Sequence, residues 1–276
     1  MVSQLPRLNL KIANYNQSFN YLKDVYEECL KQYLERPQSI NTALKSINNG
    51  RKILQSDSEV CTYIAFYGAQ HYYKLVEAFD SLNISQFSDR NVEIISYGCG
   101  AATDVCSLIS YCHSKQINIP FTKLTLIEPS YTALISGFDY IKQALSAKDF
   151  AQKSIKQIYK TINDLEVSDI FSASKNIKLH VFSNILDLEA IDLTNLASLI
   201  KNSQTGINYF ICVSPQRYGG EARIDKFYQI MSHQLEVNRI CRNNEPIRNK
   251  VWSMKNNGYI SDYYIDRYYI IFSAAL

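Results

Sequence analysis

A short β-rich run that ends in two glycines constrains this chain more than any other feature. The run 92–97 (VEIISY) has the composition of a buried strand, and Gly98 and Gly100 follow it directly. The first glycine allows backbone angles that a side chain would hinder, and the second leaves room for a ligand to approach the main chain. The next residues, 102–111, predict a helix whose free N–H groups point to the carboxyl edge of a sheet. Strand, glycine turn and helix together predict the first nucleotide-binding turn of an α/β domain.

An acidic residue at the end of the next predicted strand supports this interpretation. The run 123–127 predicts a strand, and Glu128, Pro129 and Ser130 follow it. A carboxylate at that place can accept hydrogen bonds from both hydroxyls of an adenosine ribose. The alternative is a charge placed near a helix N-terminus, where the helix dipole favours it. Glu128 lies farther from Gly100 than the usual ~20 residues, and the intervening loop can absorb the excess.

Strands that alternate with helices predict a doubly wound, Rossmann-like α/β sheet. The predicted strands are 92–97, 123–127, 178–182 and 208–213, with 251–254 and 268–272 near the C-terminus. The predicted helices among them are 102–111, 130–145, 150–165, 193–200 and 224–237, the third of these as an insertion. A polar loop at 242–250 and a turn at 256–258 separate the last elements, so we expect an antiparallel C-terminal strand on a mostly parallel sheet.

The first part of the chain has the period of helices and no strand pattern. Apolar residues recur at helical spacing over 21–33. Ser39 can cap a second helix, and Ser58 is the predicted N-cap of a long third one. We therefore divide the chain into a helical region, 1–85, and a Rossmann-like domain, 86–276. The helical region is expected to recognise a substrate or to act as a lid.

At these motifs the chain resembles class I S-adenosylmethionine-dependent methyltransferases, over about residues 90–215. The run 97–104 (YGCGAATD) is similar to the first motif of that family, and 127–130 (IEPS) to its second. The resemblance implies a methyltransferase that binds S-adenosyl-L-methionine as cofactor and transfers its methyl group to an acceptor.

The resemblance also implies ligand contacts after later strands. It places 182–187 at the family's third-strand loop, which lines the adenine, and 212–215 at its fourth motif, which faces the methyl group. Asn184 and Asp187 are equally typical of turns, and Asp104 can contact the ligand's amino group or serve the helix dipole. The candidate cofactor-binding residues are Tyr97, Gly98, Cys99, Gly100, Asp104, Glu128, Pro129, Ser130, Asn184, Ile185, Asp187 and Ser214.

Departures from known patterns define the alternatives. Ala102 occupies the third glycine position of the methyltransferase family. The dehydrogenase pattern G-x-G-x-x-G fails at Thr103, which makes NAD the weaker cofactor and an NAD-dependent oxidoreductase the less favoured function. The Asn-Pro-Pro-Tyr type of motif is absent, and 214–218 (SPQRY) stands in its place. The sequence thus identifies no catalytic residue, and it leaves open a methyltransferase-like fold that is a non-catalytic ligand-binding or interaction module.

One predicted helix face carries candidate substrate residues. Tyr63, Tyr67 and His71 share that face at i, i+4 and i+8. Pro215 and Tyr218, after the 208–213 strand, are the other two candidates. The alternative for the helix is plain packing between the helical region and the sheet, in a chain that contains 21 tyrosines.

Composition limits partners and location. A net charge of +3 is too small to imply nucleic acid by itself, although a locally basic C-terminal third leaves RNA open beside a small-molecule or protein acceptor. No stretch approaches the ~18 apolar residues of a membrane span. The seven cysteines lack C-x-x-C spacing, so we expect reduced thiols in the cytoplasm and no metal.

Overall fold

A central sheet with helices on both faces organises the chain. The computed structural model describes residues 19–36, 38–146, 150–151, 153–216 and 219–276. The strands in these ranges are β1 (Val92–Tyr97), β2 (Phe121–Ile127), β3 (Ser154–Ile158), β4 (Ile177–Ser183), β5 (Ile207–Ser214), β6 (Val237–Asn243), β7 (Ile247–Ser253), β8 (Gly258–Ile265) and β9 (Tyr268–Ala275).

The strand order places a topological switch beside the glycine turn. Across the described residues the main sheet runs β3-β2-β1-β4-β5-β9-β6, and β7 and β8 form a separate hairpin. Strands β1 to β5 pair in parallel, whereas β9 runs antiparallel to β5 and β6. The chain builds outward from β1 to β3 on one side and from β4 to β5 on the other, so the switch lies between β1 and β4, where α/β sheets bind ligands. The predicted Rossmann-like sheet with its antiparallel C-terminal strand is confirmed.

The helices are α1 (Glu27–Leu34), α2 (Ile40–Ser46), α3 (Asp57–Tyr63), α4 (Ala69–Leu82), α5 (Thr103–Lys115), α6 (Tyr131–Ala144), α7 (Val167–Ile170), α8 (Leu193–Ser203) and α9 (Gly220–Gln234). The π-helical turn Leu22–Tyr26 leads into α1, and Ile64–Gly68 joins α3 to α4. The Ser39 hydroxyl caps α2 as predicted, accepting from Thr42 N at 3.1 Å. The predicted cap at Ser58 is wrong, because Ser56 has the extended backbone that an N-cap needs and accepts from Glu59 N at 3.3 Å.

The helix predicted at 150–165 is wrong, because part of it is the edge strand β3. Ser154–Ile158 pairs in parallel with β2, and a 3₁₀ turn, Ile162–Asp164, follows. A ladder with β2 outweighs the local helical tendency of this polar segment. The predicted strand at 178–182 is therefore the fourth strand of the chain, and the one at 208–213 is the fifth.

The polar loop predicted at 242–250 is also wrong. Residues 242–243 lie in β6 and 247–250 in β7, so only 244–246 connect the two strands. The helix before them ends at Gln234 rather than at 237. Asn257, with φ of 46°, turns the chain from β7 into β8, a strand that the sequence did not predict. Solvent exposure explains these polar strands, since β6 is an edge strand of exposed and half-buried residues, and β7 and β8 form a partly exposed hairpin.

Alternating residues of the strands divide the core into two parts. Ile94 and its neighbours on one sheet face pack with α1, α3, α4, α5 and α6, and Ile95 and its neighbours on the other face pack with α8 and α9. Tyr21 ties the first helices to α5, because its N–H donates to Ser110 Oγ at 3.1 Å and its hydroxyl lies 3.2 Å from Thr103 Oγ1. The helical region is thus a layer on the sheet that shares a core with it. Within the described ranges, no helix has the length and apolar character that crossing a membrane requires.

Candidate functional site

The glycine turn after β1 has one closed and one open side. Gly98 and Gly100 have φ angles of 61° and 53°, in the left-handed region that favours glycine. A Cβ atom at Gly98 would lie 2.6 Å from Ile185 Cδ1, whereas nothing lies within 4 Å of one at Gly100. The first glycine therefore lets the loop after β4 pack on the turn, and the second leaves the main chain accessible to a ligand.

Small residues also allow α6 to dock on this turn. Ala102 begins α5 with a left-handed φ of 55°. A Cβ atom at Gly137 of α6 would lie 2.8 Å from Ala102 N and 2.8 Å from the carbonyl carbon of Ala101. The third small position of the motif, which holds alanine instead of glycine, is thus a helix contact as well as a turn residue.

Glu128 joins the turn after β1 to the start of α6. Its Oε2 accepts from Gly100 N at 2.9 Å and its Oε1 accepts from Ser130 N at 2.9 Å. Burial raises the pKa of Glu128, and these two hydrogen bonds oppose the rise. The hydroxyl of Ser130 caps α6 by accepting from Ala133 N at 3.0 Å. Because a carboxylate can accept about four hydrogen bonds, each oxygen of Glu128 keeps capacity for a ligand.

Two predicted cofactor residues direct their side chains into the protein. Asp104 is buried, accepts from Val105 N at 2.9 Å, and receives the hydroxyl of Ser96 from β1. Burial raises the pKa of Asp104 to about 6. The ring of Tyr97 stacks on Phe182 in the core, with ring centroids 4.3 Å apart. The side chains of Asp104 and Tyr97 therefore stabilise the turn through contacts inside the protein.

A cavity of about 640 Å³ lies where the loop after β4 faces the α3–α4 helix. Of the predicted site residues, Tyr63, Tyr67, His71, Asn184, Asp187 and Pro215 line it. Ser214 contacts one of these lining residues, since its hydroxyl donates to Asp187 Oδ1 at 3.1 Å. Tyr218 lies outside the described residues. The other lining residues, which the sequence did not single out, are Asn48, Asn49, Gly50, Arg51, Gln70, Lys74, Leu188 and Asp266.

Tyr63, Tyr67 and His71 form the aromatic wall of this cavity. The Tyr63 and Tyr67 ring centroids lie 5.3 Å apart, and His71 stacks on Tyr67 at 6.0 Å. Burial, and then the charge of Lys74, hold the pKa of His71 well below its usual value. The wall therefore presents two phenol rings and a neutral imidazole at physiological pH.

Lys74 is the most unusual residue of the cavity. Its side chain is on the same helix as the aromatic wall, is only 3% exposed, and donates from Nζ to Asn184 Oδ1. Among the residues that the structure describes, no carboxylate makes an ion pair with it. Burial lowers the pKa of Lys74 to about 8, against the opposing charges of Asp187 and Asp266. In the sequence, Lys74 follows His71 by three residues, a spacing that places both on one side of a helix. The sequence does not reveal that it is buried, because a lysine on a helix is normally exposed.

Strand β3, which the sequence did not predict, changes which strand precedes the predicted ligand-binding residues Asn184 and Asp187. Asn184 and Asp187 follow β4, which pairs with β1, rather than the third strand. The third strand ends instead at Ile158, whose carbonyl accepts from Glu128 N at 3.1 Å. Tyr159 follows it with 61% exposure, and its ring lies 5.9 Å from that of Tyr131. Glu128 thus stands between an exposed aromatic pair on the β3 side and the cavity on the β4 side.

Arginines of the basic C-terminal third bind groups of the chain itself. Arg223 donates to the carbonyls of Leu186 at 2.7 Å and Ile191 at 2.8 Å. Arg242 pairs with Asp225 at 2.8 Å. Arg223 and Arg242 thus connect neighbouring segments of the chain. These contacts favour a structural role for the two arginines over a role in binding RNA.

No protein-family model matches this sequence, and no curated protein matches it. Several solved structures are similar. The trans-methyltransferase CalH, in complex with SAH, is 14% identical with a TM-score of 0.49, covering 92% of this chain and 70% of that one. An O-methyltransferase from Bacillus cereus, in complex with SAH, is 12% identical with a TM-score of 0.42, covering 93% and 96%. A SAM-dependent methyltransferase from Leishmania major is 9% identical with a TM-score of 0.43, covering 92% and 86%. With TM-scores below 0.5, none of the three assigns a role to a residue of this chain.

Proposed function

We propose that this chain transfers a methyl group from S-adenosylmethionine to an acceptor bound in the cavity. The observation that carries the proposal is the Glu128 carboxylate, held by Gly100 N and Ser130 N at the carboxyl edge of the sheet. Its remaining lone pairs suit the two hydroxyls of an adenosine ribose. The open side of Gly100 suits the close approach of a ligand to the main chain.

The surroundings of Glu128 support a division of the ligand between two sides. On the β3 side, the exposed rings of Tyr131 and Tyr159 offer faces on which a nucleoside base can stack. On the β4 side, the cavity offers polar groups and an aromatic wall. We therefore place the adenine towards β3 and the methyl group and its acceptor towards β4.

The helical region supplies much of the proposed acceptor site. S-Adenosylmethionine, when bound, supplies an activated methyl group, so the protein has to align the acceptor with it and remove a proton where needed. Residues of α3, α4 and the turn 48–51 form one side of the cavity. We propose that 1–85 is the acceptor-recognition region, that 86–276 is the cofactor-binding domain, and that the enzyme works in the cytoplasm, where its thiols stay reduced.

The first test is binding of the cofactor and its product. Calorimetric titration should show saturable binding of S-adenosylmethionine and S-adenosylhomocysteine, and no comparable binding of NAD. Glu128→Gln should weaken S-adenosylhomocysteine roughly 10- to 100-fold, because it replaces charged hydrogen bonds with neutral ones. The matched control is Glu189→Gln, since Glu189 is exposed.

Two results would redirect the proposal. Absence of binding of both sulfur ligands at millimolar concentration would reject it. Binding without methylation of any component of a cell extract would favour the alternative function, a ligand-binding or interaction module without catalysis.

A further inference from the structure

Lys74 is a buried lysine that forms no ion pair with a carboxylate of the described residues. Lys74 is 3% exposed, and Nζ is bonded to the neutral amide oxygen of Asn184. Taking an ammonium group out of water costs several kcal/mol unless an opposite charge contacts it. A hydrogen bond to a neutral amide offsets only part of that desolvation free energy. A charged Lys74 therefore destabilises the folded protein, which is typical of residues that take part in a reaction.

The placement of Lys74 puts its amine close to the proposed site of methyl transfer. Asn184, its partner, follows β4, and Ile185 packs against Gly98 of the glycine turn. The amine therefore lies over the ends of β4 and β1, at the topological switch of the sheet. An ammonium group has three hydrogens, and the bond to Asn184 uses one of them.

The groups around Lys74 define its electrostatic setting. His71 lies on its own helix and is neutral, Arg51 faces the cavity from the turn 48–51, and Asp187 and Asp266 face it from the strand ends. One oxygen of Asp187, Oδ1, also accepts from the Ser214 hydroxyl at 3.1 Å. Burial outweighs both aspartates, so the neutral amine of Lys74 is accessible near physiological pH.

The aromatic wall indicates the shape of the molecule that Lys74 meets. Tyr63, Tyr67 and His71 present adjacent rings, and Leu188 and Pro215 lie on the strand-end side of the cavity. A flat ring fits between an aromatic wall and apolar side chains. A hydroxyl on such a ring has an unperturbed pKa of about 10, against about 8 for Lys74. Transfer of its proton to the amine is therefore moderately uphill, and attraction between the resulting ammonium ion and the phenolate offsets part of that cost.

We propose that the cavity takes a phenol-type acceptor and that Lys74 accepts the proton from its hydroxyl. This inference rests on the proposed function. The neutral Lys74 amine takes the hydroxyl proton and becomes an ammonium ion, which stabilises the phenolate beside it. The phenolate oxygen forms the new O–CH₃ bond with a lone pair as the S–CH₃ bond breaks and its electrons stay on sulfur. Lys74 then releases its proton to solvent.

A chromogenic phenol tests this without methyl transfer. The probe is 4-nitrophenol, whose phenolate absorbs visible light, titrated with pH on the full chain with and without S-adenosylhomocysteine. The bound probe should ionise at a pH lower by about one unit or more than the free probe, because a cation adjoins its oxygen. Lys74→Met should abolish this shift, and Lys45→Met, at an exposed position, should leave it intact.

A second probe separates loss of the amine from loss of the cavity. 4-Nitroanisole has the same ring but no ionisable hydroxyl, so it should bind wild type and Lys74→Met with similar affinity. The proposal is overturned if 4-nitrophenol does not bind, if the bound probe ionises like the free one, or if Lys74→Met keeps the shift. Should Lys74→Met fail to fold, absence of the shift in wild type would still overturn the proposal, and Arg51→Met should leave a wild-type shift intact if Lys74 causes it. Failure of S-adenosylhomocysteine to bind would reject the proposed function instead, and the probe titration without it would still give its own result.

Discussion

Asp104 and Lys74 are buried ionisable residues on the neighbouring helices α5 and α4. Burial disfavours the charged form of each, which raises the pKa of the carboxyl group and lowers that of the amine. Asp104 has hydrogen bonds from Ser96 and Val105, so its role is to hold β1 and α5 together. Lys74 donates to the amide of Asn184 and lines the cavity, so burial fits a structural role for Asp104 and the proposed role of proton acceptor for Lys74.

Asp104 makes the stability of the protein fall between mildly acidic and neutral pH. Its pKa is raised from 3.8 to about 6 in the folded state, so that state holds its proton more tightly than the unfolded chain. The stabilisation is complete below pH 3.8 and is lost as the pH rises through 6. Asp104→Asn removes this effect, and its stability relative to wild type should rise by roughly 2 kcal/mol between about pH 4.5 and about pH 7.5.

Denaturant unfolding at the two pH values measures this change. Asp89→Asn is the control, because Asp89 is exposed and should give the same difference from wild type at both. A constant difference between Asp104→Asn and wild type would show that the carboxyl group titrates normally.

At the scale of elements, helix α6 depends on one small residue for its contact with the glycine turn. Gly137 faces the main chain of Ala101 and Ala102 so closely that a Cβ atom would lie 2.8 Å from backbone atoms. The N-cap of the same helix, Ser130, donates its N–H to Glu128. A shift of α6 therefore reaches the carboxylate through one residue.

Gly137→Ala should destabilise the protein by about 1–3 kcal/mol, because backbone atoms cannot yield as a flexible side chain can. It should also weaken S-adenosylhomocysteine binding, since Ser130 moves with the helix. Asp139→Ala, at an exposed position of the same helix, is the control and should leave both unchanged. Thermal unfolding and calorimetric titration measure the two effects, and normal values for Gly137→Ala would show that the contact relaxes freely.

The elements also show why parts of the fold could be predicted and others could not. Strands β1 and β2 lie between neighbouring strands and are mostly buried, so runs rich in apolar and β-branched residues identify them. The turn residues Gly98 and Glu128 stand at their ends. Strand β3 has one partner and mostly exposed or half-buried residues, so its segment has no clear period of two. Because β3 was not predicted, the strand before Asn184 was counted as the third of the sheet, whereas it is the fourth. Lys74 was missed for a different reason, since a lysine on a helix does not reveal its burial.

At the scale of the whole molecule, the helical region and the sheet depend on each other. Leu75 and Phe79 of α4 are fully buried in the core part that contains Ile94 and Leu179 of the sheet. The helical character of this region was predictable from its period, but its contribution to the cavity depends on packing between distant segments, such as the bond from Ser130 Oγ to Leu54 O.

A chain of residues 86–276 alone should therefore fail to fold stably. Removal of 1–85 bares one apolar face of the sheet and of α5, so this fragment should aggregate or bind a hydrophobic dye. Coexpression with 1–85 should restore solubility by covering the face. A soluble fragment 86–276 with cooperative unfolding would show instead that the Rossmann-like domain is independent.

The two main-chain bonds on Glu128 have a consequence for the timing of ligand exchange. Because Gly100 N and Ser130 N already fix the carboxylate, its rotamer does not have to be ordered during an encounter, which spares about 0.5–1.5 kcal/mol. Differences in affinity between related complexes arise mostly in the dissociation rate. Substitution of Glu128 should accordingly shorten the residence time of a nucleoside ligand and leave its association rate nearly unchanged.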